Sequence, residues 1–370
     1  MTRLLLLALL ATTLGCERAG RRPIARDTAP PSHAAGRDTL AAPSIPPVPA
    51  DSMTIRMSAT GDSARADTAL PALHTGGAES AGDSATVSIE PLGPVRGGVI
   101  AATIEAAGGS TPQCTWKSAP LPCYASGTTI RAIIPLPADD PAGGFQLTMD
   151  AGGRSARRTI VVGDRDFGRQ VVLLDSAHYA LVRRGKEIAR DARAIRQVLQ
   201  SESPDARWSG RWLDPGGGAR AEGYGTERFY YRASDSSRVM SLRPSARTTG
   251  DFGADTTAIG SNDTPSWRHA GVDIALARGA PVRAAAAGIV AAASEYVLTG
   301  RTVILDHGQG IHTAYFHLDT ITVRPGDVVR RGERLGRVGS TGLATGPHLH
   351  YGVYVHGRDV DPAAWHRIAR

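Results

Sequence analysis

Lysine is almost absent from this chain of 370 residues. Only Lys117 and Lys186 occur, so nearly all of the 42 basic side chains are arginine. No lysine follows Lys186, which excludes a lipoyl-type carrier needing a modifiable lysine at a turn, although DVVRRGERLGRVG is a hairpin of that sort. Also lacking is any dense basic run interleaved with aromatics. The formal net charge of +7 therefore leaves no nucleic-acid footprint, and no nucleic acid is expected as a partner. The charge allows attraction to an anionic wall polymer, but the Arg- and Ala-rich usage of a GC-rich genome accounts for it more simply. No His-Glu-x-x-His helix is present, so a glutamate base of that type is not expected. Beyond residue 265 no helical period of any length is legible.

Long apolar runs are missing too. Residues 4–14 form an apolar stretch behind Arg3, too short to span a bilayer and suited to a secretory signal. The stretch ends in Gly15-Cys16, which resembles a bacterial lipobox, with Thr13 and Leu14 departing from the usual residues. Residues 1–16 are thus expected to be a lipoprotein-type signal peptide with Cys16 lipidated and holding the chain to a membrane. Ordinary cleavage nearby would instead release a free secreted protein. Cysteine is scarce as well: Cys16, Cys114 and Cys123. An odd cysteine in an exported chain needs an explanation, and lipidation of Cys16 supplies one. The other two, in CTWKSAPLPC, are expected to form a local disulfide in an oxidising compartment, against the alternative of two buried thiols.

Hydrophobic content of 41% supports a packed core, though not evenly along the chain. Residues 17–84 are rich in Ala, Pro, Ser, Thr, Asp and Gly without a surviving period, and read as a disordered tether. The isolated His33 and His74 in it have no metal role. Residues 85–163 change to short β-rich runs, TVSIEPL, GGVIAATIEA, TTIRAIIPL, GGFQLTMDA and SARRTIVVG, separated by Gly, Pro and Asp. They predict a small immunoglobulin-like β-sandwich, read as a spacer rather than a binding module. Residues 164–204 form a helical linker. Leu181, Ile188, Ala192, Ile195 and Leu199 share one face, expected to pack on the following domain, and Ser203-Pro204 ends the pattern. From 205 to 370 the pattern is β, with GIVAAASEYV, RTVILDHG, IHTAYFHL and LHYGVYVH as strands between glycine-marked turns. The expected fold class is mostly β, with an antiparallel sheet at the C-terminal end.

That last segment carries the chemistry. His269 and Asp273 stand four apart in SWRHAGVDIA, on an irregular loop entering a strand, with Gly271 letting the backbone bend closely around an ion. His348 and His350 stand two apart in TGPHLHYGV, so on a strand both imidazoles share a face and Leu349 takes the other. One histidine of such a pair can bind a metal while its neighbour stands beside the open position. His317 lies between the two motifs. Imidazoles and a carboxylate in this pattern suit a catalytic zinc with an open coordination position and metal-assisted hydrolysis. His307 reads as pinning a turn, and His312 faces away from His317 by strand parity. His356 and His366 lie past the motif. Tyr315 shares the parity of His317 and could line a groove, with packing an equal reading.

Taken together, GVDIALARGAPVRAAAAGIV, DHGQGIHTAYFHL and VRRGERLGRVGSTGLATGPHLH, in that order and closed by Asp361-Pro362, resemble the LytM/lysostaphin-type zinc metallopeptidases, peptidase family M23. The resemblance is strongest over 267–362. It implies His269, Asp273 and His350 as ligands of Zn2+, and His317 and His348 as the catalytic histidines. It further implies a zinc metalloendopeptidase acting on stem or cross-link peptides of peptidoglycan in the cell envelope of a diderm bacterium. Relatives that lack these residues act as activators of other wall enzymes. The alternative is accordingly a non-catalytic envelope regulator that binds wall or activates an amidase, and a regulatory protein partner is compatible with either. Asn262 and Asp263 stand close enough to His269 to be candidate inhibitory ligands, or else exposed turn residues.

Overall fold

A computed structural model describes residues 55–56, 86–105, 111–151, 154–217, 221–235 and 266–369. The expected signal peptide over residues 1–16 with Cys16, most of the 17–84 stretch, and Asn262 and Asp263 lie outside the described residues. Within 17–84 only Ile55–Arg56 is described, as a short strand paired with Val171 and Gln170. The structure is mostly β, with 48% strand and 13% helix.

Two four-stranded sheets form a sandwich. One orders Ser88–Glu90, Val99–Glu105, Thr129–Pro135 and Cys123–Ser126, the other Ala119–Leu121, Gln113–Trp116, Gly143–Ala151 and Arg154–Val162. Ile100, Ile104, Ile130, Ile134, Leu147 and Met149 fill the space between them. The Cys114–Cys123 disulfide joins the two sheets rather than closing a mere turn, because each cysteine sits on a strand of a different sheet. The run VIAATIE is apolar at consecutive positions for a reason. Ile100 and Ile104 face the sandwich interior, while Val99 and Ala101 face outward into a second core with Tyr224, Val360 and Trp365. Through that outward face the sandwich is packed against the C-terminal sheet. Asp361 N–H donates to Gly97 O at 2.7 Å across the junction, and His356 Nε2 lies 3.1 Å from Ile133 O.

The helical period over 175–201 resolves into two helices, Ser176–Val182 and Gly185–Leu199, interrupted at Arg183 and Arg184. Ile195 and Leu199 pack on Ala292, Ile304, Ala314, Phe316 and Tyr354, on one face of the C-terminal sheet. The linker also holds a strand that periodicity did not reveal. Arg169–Leu174 pairs parallel with Glu227–Arg232, which pairs antiparallel with Ser266–Arg268.

The C-terminal sheet has ten strands, and every pairing in it is antiparallel. Its main path runs Ala221–Glu222, Val272–Ile274, Leu349–Val355, Ile311–Ile321, Gly300–Asp306, Gly288–Tyr296, Val328–Val329. The absence of helix after residue 265 does not hold. Pro362–Ile368 is helical, too short to show a period but signalled by its start: the Asp361 side chain accepts from Ala363 N–H and proline stands in the first turn. Its fully buried Trp365 closes an aromatic cluster with Trp208 and Trp212.

His307 is the pin that ILDHGQG suggested. It is fully buried, with Nδ1 2.7 Å from Ala287 O, Nε2 2.8 Å from Thr313 Oγ1, and its ring 4.6 Å from that of Trp212. Burial pushes its pKa from 6.5 down to about 4. The unfolded chain therefore takes up a proton that the folded one refuses. Stability contributed by the neutral ring is whole above pH 6.5 and lost as pH falls toward 4, by roughly 3 kcal/mol. Denaturant midpoints measured from pH 7 to pH 4 should fall over that window, and the slope should flatten in His307→Asn.

Candidate metal centre

Strand register assembles the site. Asp273 and His350 are direct cross-strand partners, and His350 is in turn opposite Phe316 on the next strand, so the three side chains share one face of the sheet. His269 precedes Val272–Ile274 and folds back over it. His269 Nε2 lies 2.8 Å from His350 Nδ1 and 3.1 Å from Asp273 Oδ1, and His350 Nδ1 lies 3.2 Å from the same oxygen. His348 Nε2 stands 3.5 Å from Asp273 Oδ1. The His317 ring lies 4.7 Å from that of His348. All five residues that the sequence singled out thus surround one point.

Backbone carbonyls fix which nitrogens face inward. His269 Nδ1 is 2.9 Å from Gly223 O, His317 Nδ1 2.8 Å from Thr341 O, and His348 Nδ1 2.9 Å from Gly346 O. A carbonyl only accepts, so each Nδ1 is the protonated nitrogen and each Nε2 presents a lone pair to the site. His350 is reversed. Its Nδ1 faces the site, and its Nε2 is buried with no partner among the described residues, the ring lying flat against Phe316 at 4.8 Å.

Burial, followed by the nearby Arg228 guanidinium, lowers the His269 pKa to about 4. Burial also lowers that of His317, to about 3, and that of His350. Burial alone would raise the Asp273 carboxyl, but the charges of His269 and Arg228 outweigh it and hold the group well below the usual carboxylate range. The lone pairs of His269 Nε2 and His350 Nδ1 and the ionised Asp273 Oδ1 therefore face one another at about 3 Å. One shared proton satisfies a single contact among them, not all. Two neutral imidazoles and a carboxylate fit a zinc ion, and they could hold it with one side open toward His317 and His348.

His317 reaches this face by a local irregularity. Leu318 opposes Arg301 and Tyr315 opposes Val303, so Ile311–Ile321 carries one extra residue there. His317 takes up that residue with φ of 60°, in the left-handed region that a non-glycine side chain rarely adopts. The bulge breaks strand parity and decides between the two readings of Tyr315 in favour of packing. Tyr315 is fully buried on the other face, its hydroxyl taking the Ala285 N–H at 2.8 Å, and Phe316 stands beside the site instead. The same bulge overturns the parity reading of His312: it shares the sheet face of Phe316 and His350 but lies farther along the strand, opposite Tyr354 and against Ser201. His356 binds Glu202, and His366 approaches Tyr351.

Two contributors were invisible in the sequence. Gly223 supplies the carbonyl that orients His269, and Arg228 donates to Asp273 Oδ2 at 2.7 Å. Both lie more than 40 residues before the ligands they touch and belong to no motif.

A half-open set of two imidazoles and a carboxylate, with two further imidazoles at its rim, is an arrangement suited to metal-dependent hydrolases. Residues 267–362 match peptidase family M23, and this part of the chain is an M23 domain. The chain is 42% identical over 100 residues to a DD-carboxypeptidase/endopeptidase, Mpg, of Neisseria meningitidis, covering 27% of this chain and 23% of that protein. It is 42% identical over 93 residues to the peptidoglycan DD-endopeptidase ShyA of Vibrio cholerae, covering 25% and 22%. The chain thus spans under a quarter of the length of these curated relatives. A solved structure of a putative peptidase M23 from Pseudomonas aeruginosa aligns with a TM-score of 0.49 at 26% identity, over 74% of this chain and 94% of that one.

Proposed function

We propose that the chain is a zinc metalloendopeptidase that hydrolyses cross-link or stem peptides of peptidoglycan. His269, Asp273 and His350 are the ligands, and His317 and His348 the catalytic histidines. The observation that carries this reading is the convergence of three electron-pair donors on one point beside two oriented imidazoles. When bound, zinc supplies a Lewis acid that polarises an amide carbonyl and makes water nucleophilic near neutral pH. The protein supplies the rest. His317, its ring locked by Thr341 O, offers Nε2 as an acceptor for the proton of an attacking water. His348 is the more exposed of the pair, with 19% of its side chain accessible. Once protonated it can hydrogen-bond a tetrahedral oxyanion or return the proton to the leaving amine. The two divide these tasks between them.

The names of the relatives support a D,D-cross-link as the bond, and a site of action in the cell envelope. An exported chain with a lipidated Cys16 and a polar tether would hold the peptidase within reach of the wall from a membrane.

The test is cleavage of purified sacculi by the full chain, with products identified by mass spectrometry. Cross-linked muropeptides should disappear, survive when a chelator is present, and disappear again when zinc is restored. Binding to sacculi without cleavage, at one bound zinc per chain, would favour the regulator reading. A chain that neither binds zinc nor cleaves would remove the enzymatic reading.

A further inference from the structure

We propose that Arg228 is a positioning residue of this metal centre: it occupies one oxygen of Asp273 so that the other alone faces the histidines. This rests on the metal reading above and adds a part that lies outside the 267–362 match. Arg228 Nη2 donates to Asp273 Oδ2 at 2.7 Å, while Oδ1 is the oxygen within 3.1–3.5 Å of His269, His350 and His348. A carboxylate left to itself can swing to offer both oxygens to a cation. Asp273 is denied that motion, which keeps a coordination position open on the side of His317 and His348.

The guanidinium is itself fixed. Its Nε donates to Gln170 Oε1 at 2.9 Å, and Gln170 and Arg228 are register partners on the parallel pair Arg169–Leu174 and Glu227–Arg232. A planar fork bridges the two acceptors; a lysine, as a single point donor, holds one at most. The same short segment braces a second ligand. Gly223 O takes the His269 Nδ1 proton, and a Cβ on Gly223 would lie 3.0 Å from His269 Nδ1 and 3.1 Å from Arg228 Nη2. Gly225 N–H donates to His269 O and His269 N–H to Thr226 O. Residues 223–228 are thus a wall of the site, and two of the three ligands lean on it.

The test uses the full chain, stripped with chelator and titrated with zinc against a chromophoric competitor, then loaded with Co2+ to read its visible spectrum. Arg228→Lys keeps the charge and removes the fork. Zinc affinity should fall roughly 10- to 100-fold, as for other outer partners of metal ligands, and the Co2+ spectrum should change as the carboxylate gains freedom. Gln170→Ala leaves every charge in place and frees only the Nε end. It should move both readouts in the same direction by less, and it carries the test if Arg228→Lys does not fold. Wild-type affinity and an unchanged spectrum in the folded variants would overturn the proposal and leave Arg228 an ordinary buried ion pair. A wild-type chain that takes up no zinc would overturn the metal reading itself and this proposal with it.

Discussion

Asp273→Asn should abolish stoichiometric zinc binding and lower the rate of cross-link cleavage by about three orders of magnitude or more. Lewis-acid stabilisation is worth several kcal/mol, at about 1.4 kcal/mol per tenfold in rate. Asparagine is the substitution to use because alanine confounds the result. Arg228 is largely buried against Asp273, and alanine would leave its guanidinium without a hydrogen-bond acceptor as well as without a counter-charge, a break that costs about 3–5 kcal/mol for a buried pair. Asparagine keeps an oxygen for Arg228 and removes the charge that the centre needs. The informative comparison is with His317→Ala and His348→Ala. Neither residue belongs to the three-ligand cluster, so both variants should keep one zinc per chain while turnover falls by about 10²–10⁴, the usual weight of a positioned acid or base. Metal content by elemental analysis beside muropeptide release separates the two groups. Loss of zinc in His317→Ala would place that residue among the ligands and end the division of roles proposed above.

The shared faces of the two motifs were legible because spacing translates into geometry, whereas the place of His317 and the role of each residue came from the family resemblance. Two residues apart on a strand means one face, and the face is the one that register then shares with Asp273. Strand positions were legible for the same reason, as hydrophobic alternation between glycine turns. What failed was whatever a local rule cannot carry. Parity put Tyr315 beside His317, and one inserted residue opposite Thr302 reversed it. No local pattern announces a bulge at a histidine. Arg228 and Gly223 touch the site through strand pairings formed across a long sequence gap, so nothing near either residue marks it. The outward packing of the sandwich had a trace in the sequence, since VIAATIE does not alternate, and a strand covered on both faces has no reason to.

Gly271 is the position where sequence and structure agree on the residue and differ on the cause. A glycine between His269 and Asp273 suggests a backbone bent around an ion. Its φ is not in the left-handed region, however, and the constraint is space. A Cβ there would lie 2.6 Å from His350 Nε2 and 2.6 Å from Tyr351 O. Neither neighbour can retreat independently. Tyr351 is backbone-paired with Val272, and the His350 ring is backed by Phe316. Relief requires Val272–Ile274 and Leu349–Val355 to part, which moves Asp273 away from His350. Gly271→Ala should therefore reach the upper end of the roughly 1–3 kcal/mol typical of overpacking and weaken zinc binding in the same protein. Gly346→Ala is the matched control, since a Cβ there meets nothing within 4 Å, and it should leave both properties unchanged. Denaturant midpoints and zinc titrations on the two variants decide the matter. If Gly271→Ala is as stable as the control and binds zinc as tightly, the strand pair yields freely, and the close contact between ligand ring and backbone is not what holds the site in shape.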